Sequence, residues 1–159
     1  MDRTMTDVST DHGTIVVEHV VDVPVSRAYA AFADAQERAR WGAPSETAVF
    51  IYEETDFSVG GRDVARCGAR NDPKYRVEAR YLDIVNERRV VWTETIGTAD
   101  RLLATNITTL DFRPDGRRTR LKVTIQVTSF VGPGMIENTR AGHQGSLANM
   151  ARYLEAVAT

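Results

Sequence analysis

Hydrophobic and polar positions alternate cleanly over residues 120–128. Leu121, Val123, Ile125 and Val127 share one face, while Arg120, Lys122, Thr124, Gln126 and Thr128 share the other. Successive side chains on a strand point to opposite faces, so this pattern predicts one buried and one wet face, the antiparallel habit. Residues 75–81 repeat it, with Tyr75, Val77, Ala79 and Tyr81 inward and Arg76, Glu78 and Arg80 outward as a solvated row. From Glu46 to near Phe130, about six short β-rich runs recur by the alternation rule. Turn chemistry separates them at Gly60-Gly61, Asn71-Asp72-Pro73, Asn86-Glu87, Gly97 and Pro114-Asp115-Gly116. No helical pattern lies between these runs, which disfavours the crossovers that parallel strands need.

The period changes at both ends of this stretch. Residues 14–23 are rich in β-branched side chains and predict an opening strand. Pro24 suits the first position of a helix, where its missing N–H costs nothing. Val25, Ala28, Tyr29 and Phe32 then fall at i, i+3, i+4 and i+7 on one apolar stripe. This helix is expected to end after Asp34. A short helical turn over residues 36–40 follows and delivers Trp41 toward the core, with Gly42 and Pro44 closing it. Beyond the Gly132-Pro133-Gly134 join, residues 135–158 predict a long helix whose stripe is Leu147, Met150, Ala151, Leu154 and Val157. Only the buried face of the sheet is long enough to receive that stripe. The expected fold is α+β: a curved antiparallel sheet wrapped around a long C-terminal helix. Residues 14–159 are expected to form one domain and residues 1–13 a disordered leader, in which His12 is solvated and idle.

Composition narrows the functions open to this fold. A chain of 159 residues with 42% hydrophobic and 26% charged positions can bury a core without staples. A net charge of −2 gives no general attraction to nucleic acid or to an anionic membrane. No apolar run approaches the roughly 20 residues of a membrane span, and no secretory h-region follows the N-terminus. The single cysteine, Cys67, cannot close an internal disulfide, which points to a reducing, cytoplasmic setting. It reads as a small strand hydrophobe rather than a nucleophile. No phosphate-cradling loop and no G-x-S-x-G elbow occurs. His12, His19 and His143 are scattered, so neither a metal nor another cofactor is expected.

In the order strand, helix pair, sheet, long helix, the chain resembles START-like (SRPBCC) proteins. Within them it resembles the branch named after the C-terminal domain of the heat-shock chaperone ATPase activator. The likeness runs from about Ile15 to Leu154 and rests on four features. These are the strand–Pro–helix entry Val21-Asp22-Val23-Pro24-Val25-Ser26-Arg27-Ala28-Tyr29, the Arg40-Trp41 pair, the paired-glycine turn Phe57-Ser58-Val59-Gly60-Gly61-Arg62, and the strand–turn–strand from Tyr81 to Trp92. The resemblance implies a helix-grip fold and a cavity between sheet and helix. It does not imply a reaction, since the superfamily includes carriers, cyclases and oxygenase components. The branch's final helix usually opens with a Gly-Trp pair; here Gly142 is followed by His143, a titratable ring in place of an apolar plug.

His143 lies four residues before Leu147 and seven before Met150, on the buried stripe. Facing a cavity, it would serve as general acid, general base or hydrogen-bond anchor. Otherwise its ring satisfies backbone groups near Gly142 and Gly145. Glu94 points inward if Trp92 does, and a carboxylate there needs a partner, His143 or Arg66, or takes up a proton. If Trp92 instead faces out at a dimer surface, Glu94 is a rim group. Trp41, Phe57, Tyr75, Tyr81 and Trp92 form an expected aromatic lining or else fill the core. Asn106 and Thr108 would anchor a ligand or hold water, and Met150 completes the expected ligand-facing set. Three functions follow in order: uptake of a small hydrophobic molecule; cofactor-free cyclase, hydrolase or dehydratase chemistry on His143 with Glu94; and docking to a chaperone in a stress response. A homodimer through an edge strand or an exposed sheet face is compatible with all three.

Overall fold

The structure is a computed structural model that describes residues 8–43 and 45–158, with backbone alone at 157 and 158. Pro44 and the side chain of Val157 therefore lie outside the described residues, as do residues 1–7 of the expected leader. The opening strand β1 spans Asp11–Val21. It begins three residues earlier than expected, because Asp11, His12 and Gly13 pair with Ser129, Thr128 and Val127. His12 is accordingly held in the sheet, hydrogen-bonded to Thr10 and Thr128.

Pro24 serves as the cap of helix α1 (Val25–Ala33) and is not its first residue. Its φ of −64° is helical but its ψ of 158° is extended, and its carbonyl accepts from the Arg27 and Ala28 amides. Asp34 ends α1 and starts α2 (Ala35–Trp41), its carboxylate accepting from the Gln36 and Glu37 amides. Such an N-cap satisfies donors that the first turn leaves open, worth about 1 kcal/mol.

Six further strands follow: β2 (Ala48–Glu54), β3 (Arg62–Ala69), β4 (Asp72–Val85), β5 (Arg89–Gly97), β6 (Leu102–Asp115) and β7 (Arg118–Ser129). All neighbours are antiparallel, in the order β1-β7-β6-β5-β4-β3-β2. Register shifts at Tyr52/Glu54, Cys67/Ala69, Tyr81/Asp83 and Ile96/Gly97 interrupt the ladders. Bulges of this kind bend the strand that carries them, and these lie in the β2–β6 half of the sheet. At one of them Gly68 takes φ +128°, and a Cβ there would sit 3.1 Å from the Tyr75 ring. A side chain at that corner would be strained, and glycine is not.

Helix α3 (Gly134–Ala158) packs chiefly along β1, with further contacts to β7, α1 and α2. Leu147, Met150, Ala151 and Leu154 are buried against Ile15, Val17, Leu121, Val123 and Ile125 in one core. The amides and hydroxyls of α3 tie it to the end of α2: Ser146 Oγ donates to the Gly42 carbonyl at 2.9 Å and Asn149 Nδ2 to the Ala43 carbonyl at 2.6 Å. Tyr153 Oη donates to Glu37, which also pairs with Arg27. The C-terminal half of α3 is thus clamped to the sheet and to α2, while its N-terminal half rests Ile136 against Gly13 of β1. No helix among the described residues is long and apolar enough to cross a membrane.

Candidate functional site

Between the N-terminal half of α3 and the inner face of β2–β7 lies a hollow of about 430 Å³. Its floor follows from the alternation in β4: Tyr75, Val77, Ala79 and Tyr81 all line it. Trp92 and Glu94 project from β5 and Asn106 from β6; Met135, Thr139, His143 and Leu147 close it from α3. Trp41 reaches in from α2, buried and anchored by its Nε1–H to the Ala31 carbonyl at 3.1 Å.

A charged cluster occupies the end of the hollow beneath α2. Arg38 sits three residues before Trp41, one helical turn away, so the two share the inward face. It is 4% exposed. Its guanidinium donates from Nη2 to Asp63 at 2.8 Å, from Nε to Tyr52 Oη at 2.7 Å, and from Nη1 to the Phe32 carbonyl at 2.7 Å. Asp63 also accepts the Tyr81 hydroxyl at 2.5 Å and the Asp56 amide at 3.2 Å. Desolvation works against the Arg38 charge, but Tyr52, Tyr81 and Asp63 more than offset it and hold its pKa above the ordinary value. Burial, opposed by Arg38 and reinforced by Asp63, pushes the Tyr81 phenol far up. A buried ion pair holds when its remaining hydrogen-bonding capacity is met, and here it is.

A second polar group forms midway along the wall. Glu94 lies opposite Asn106 in the β5–β6 register. Thr108 Oγ1 donates to Asn106 Oδ1 at 2.8 Å, which turns the amide so that Nδ2 donates to Glu94 at 3.3 Å. Desolvation raises the Glu94 pKa, against the lowering influence of Asn106 and Trp92. The expected partners are not those found. Arg66 is exposed on the other face of β3 and donates to the Pro73 carbonyl, and His143 forms no ion pair with Glu94 among the described residues.

His143 is half-buried as a residue, but its ring faces the hollow and is desolvated, which pushes its pKa down to about 4. It is therefore a neutral imidazole across the physiological range. Cys67 lines the same wall, and burial pushes its thiol up to about 11, so it behaves as a small hydrophobe and not as a thiolate.

Of the residues singled out in the sequence, His143, Glu94, Trp41, Tyr75, Tyr81, Trp92 and Asn106 meet at the hollow. Trp92 is 8% exposed and faces in, so it does not form an outer dimer surface. Phe57, Thr108 and Met150 stand behind the wall. Phe57 packs edge-on against Tyr81, Tyr29 and Phe32. Thr108 is fully buried and acts through Asn106, and Met150 is sealed in the α3–sheet core. The Arg38–Asp63–Tyr52 cluster went unread. Its signal was present: Asp63 alternates with Ala65 and Cys67 on one strand face, and Arg38 shares a helical face with Trp41.

Seven antiparallel strands bent around a C-terminal helix, with a hollow between them, define the helix-grip class of α+β proteins. The chain belongs to the family described as Activator of Hsp90 ATPase homolog 1-like protein, whose model matches residues 22–155. Among solved structures it is similar to the Mll3558 protein from Rhizobium loti, with 29% identity over 91% of this chain and 99% of that one and a TM-score of 0.80. The CV1439 protein from Chromobacterium violaceum is 29% identical over 89% and 96% of the two chains, with a TM-score of 0.79. The AHSA1-like protein from Aeromonas hydrophila shares the fold at 21% identity, covering 92% and 94% with a TM-score of 0.71. No curated protein matches the chain.

Proposed function

We propose that this protein takes up a compact, ring-containing small molecule in the hollow between β2–β7 and α3. One observation carries the reading. A space of about 430 Å³ is walled mainly by aromatic and aliphatic side chains, with its ionisable groups, phenols and the thiol aside, gathered at three places: Arg38–Asp63, Glu94 beside Asn106, and His143. Binding sites are typically mostly apolar, roughly 300–1,000 Å³ in volume, with few oriented polar groups. The rings offer flat, rigid faces, and the polar groups set orientation.

Trp41 and Trp92 both line the space, so occupancy is readable in their fluorescence. Titration with the neutral probe N-phenyl-1-naphthylamine is expected to quench them saturably at one probe per chain. Ala65 is 1% exposed and part of the wall, so Ala65→Trp would fill the space and abolish the quench. Equal uptake by that variant, with its fold intact by circular dichroism, would count against the hollow as the site.

Cofactor-free acid–base chemistry is a second reading, supported by a neutral imidazole and a carboxyl group lining one largely apolar space. In that case a turned-over ligand would persist unchanged with His143→Ala. Identical turnover by the variant and the parent would end this reading.

A further inference from the structure

We infer that the hollow selects a lipophilic amine, its ammonium paired with Glu94 and its ring body lying against Trp92 and Tyr81. This inference rests on the uptake proposed above and names the ligand's chemical class.

The argument is a balance of charge inside the wall. Four ionisable groups other than phenols and the thiol line it: Arg38, Asp63, Glu94 and His143. Arg38 and Asp63 cancel each other at 2.8 Å. Arg38 is also committed elsewhere, since its other contacts run to the Tyr52 hydroxyl and the Phe32 carbonyl. Desolvation keeps the His143 ring neutral, so it offers no positive charge. Glu94 remains. Its hydrogen-bond partners are neutral, the Asn106 amide and the Trp92 side chain, and no Lys, Arg or His among the described residues forms an ion pair with it. The hollow thus holds one acid without a counter-charge and no base without one.

That imbalance discriminates between ligands. An ammonium supplies the missing charge, donates to the carboxylate oxygens, and gains attraction from the indole and phenol faces beside it. A carboxylate ligand finds no free cation and meets Glu94 as a like charge, which acts as rejection built into the wall. An alcohol of the same shape gains the ring contacts alone. The Thr108–Asn106 relay fits this role, because it presents Glu94 to the hollow through a neutral partner, so that a bound ammonium is the counter-charge that would favour its carboxylate form.

Three probes with one ring system test this by calorimetry at pH 7: 2-naphthylmethylamine, 2-naphthalenemethanol and 2-naphthoic acid. The amine is expected to bind about tenfold or more tightly than the alcohol, a usual margin for a charge-assisted hydrogen bond. The acid is expected to be weakest. In Glu94→Gln the amine-to-alcohol ratio should fall to near one, whereas Glu18→Gln on the exposed face of β1 should keep it. Wild-type protein that prefers the acid, or shows no preference for the amine, overturns the amine inference while leaving uptake standing, as does a ratio that survives Glu94→Gln. Binding of none of the three overturns both.

Discussion

Asp63 shows how a single residue can govern both the stability and the shape of the site. It accepts from Arg38, Tyr81 and the Asp56 amide, all at or near the wall. Removing its charge strands the Arg38 guanidinium, which is 4% exposed. Asp63→Asn should cost about 3–5 kcal/mol in urea unfolding, whereas replacing both partners with Arg38→Met and Asp63→Leu should recover much of that loss. Glu94 and His143 set opposite pH slopes. The Glu94 pKa is raised in the fold, because burial penalises its charged form relative to its neutral form. Stability from that form is present below the unfolded value and lost as pH rises, and Glu94→Gln should therefore raise the urea midpoint at pH 7 and change little at pH 4. The His143 pKa is depressed from 6.5 to about 4, so stability is lost as pH falls through that window, by up to about 3 kcal/mol. His143→Leu should flatten the midpoint-against-pH curve between pH 6.5 and 4; an unchanged slope would place the ring in water. That Glu94 shares the face of Trp92 was legible from the period of two; that this face points inward was left open, and the structure decides it. The partner of Glu94 was not legible, since Asn106 meets it through the β5–β6 register, which no local pattern encodes.

At the scale of elements, strand positions were more legible than strand ends. The alternation in β4 and β7 placed every inward residue named for them, because one wet face imposes a strict period. Strand β3 is less regular: Asp63, Val64 and Ala65 are buried in succession, so the alternation that puts Asp63 on one face with Ala65 and Cys67 is weaker there than in β4 or β7. The start of β1 escaped for a different reason. Asp11, His12 and Gly13 have weak strand propensity and are held by pairing with β7. Bulges depend on backbone conformation, which residue type reveals only at glycines such as Gly68. There a Cβ would press on Tyr75 at φ +128°. Gly68→Ala should cost about 1–3 kcal/mol and shift the Tyr75 side of the wall, readable as a lower urea midpoint together with weaker probe uptake.

The molecule as a whole divides the labour of its long helix. The stripe Leu147, Met150, Ala151 and Leu154 seals one half of α3 to β1, β7 and α2. The other half rests Ile136 on Gly13 of β1, while its Met135, Thr139, Gly142 and His143 border the space over the bent strands. That helix and sheet would meet was legible from the stripe; whether their meeting would be solid or hollow was not. It depends on the summed volumes of side chains from nine elements and on a curvature set by bulges. The central claim is that this space receives a ligand. Methyl-resolved NMR during titration with 2-naphthalenemethanol tests it most directly. Shifts should concentrate at Ala65, Val77, Ala79 and Leu147, which line the hollow, and spare Val16 and Ile107 on the exposed face. Shifts confined to Val16 and Ile107, or none at saturating probe, would contradict the account.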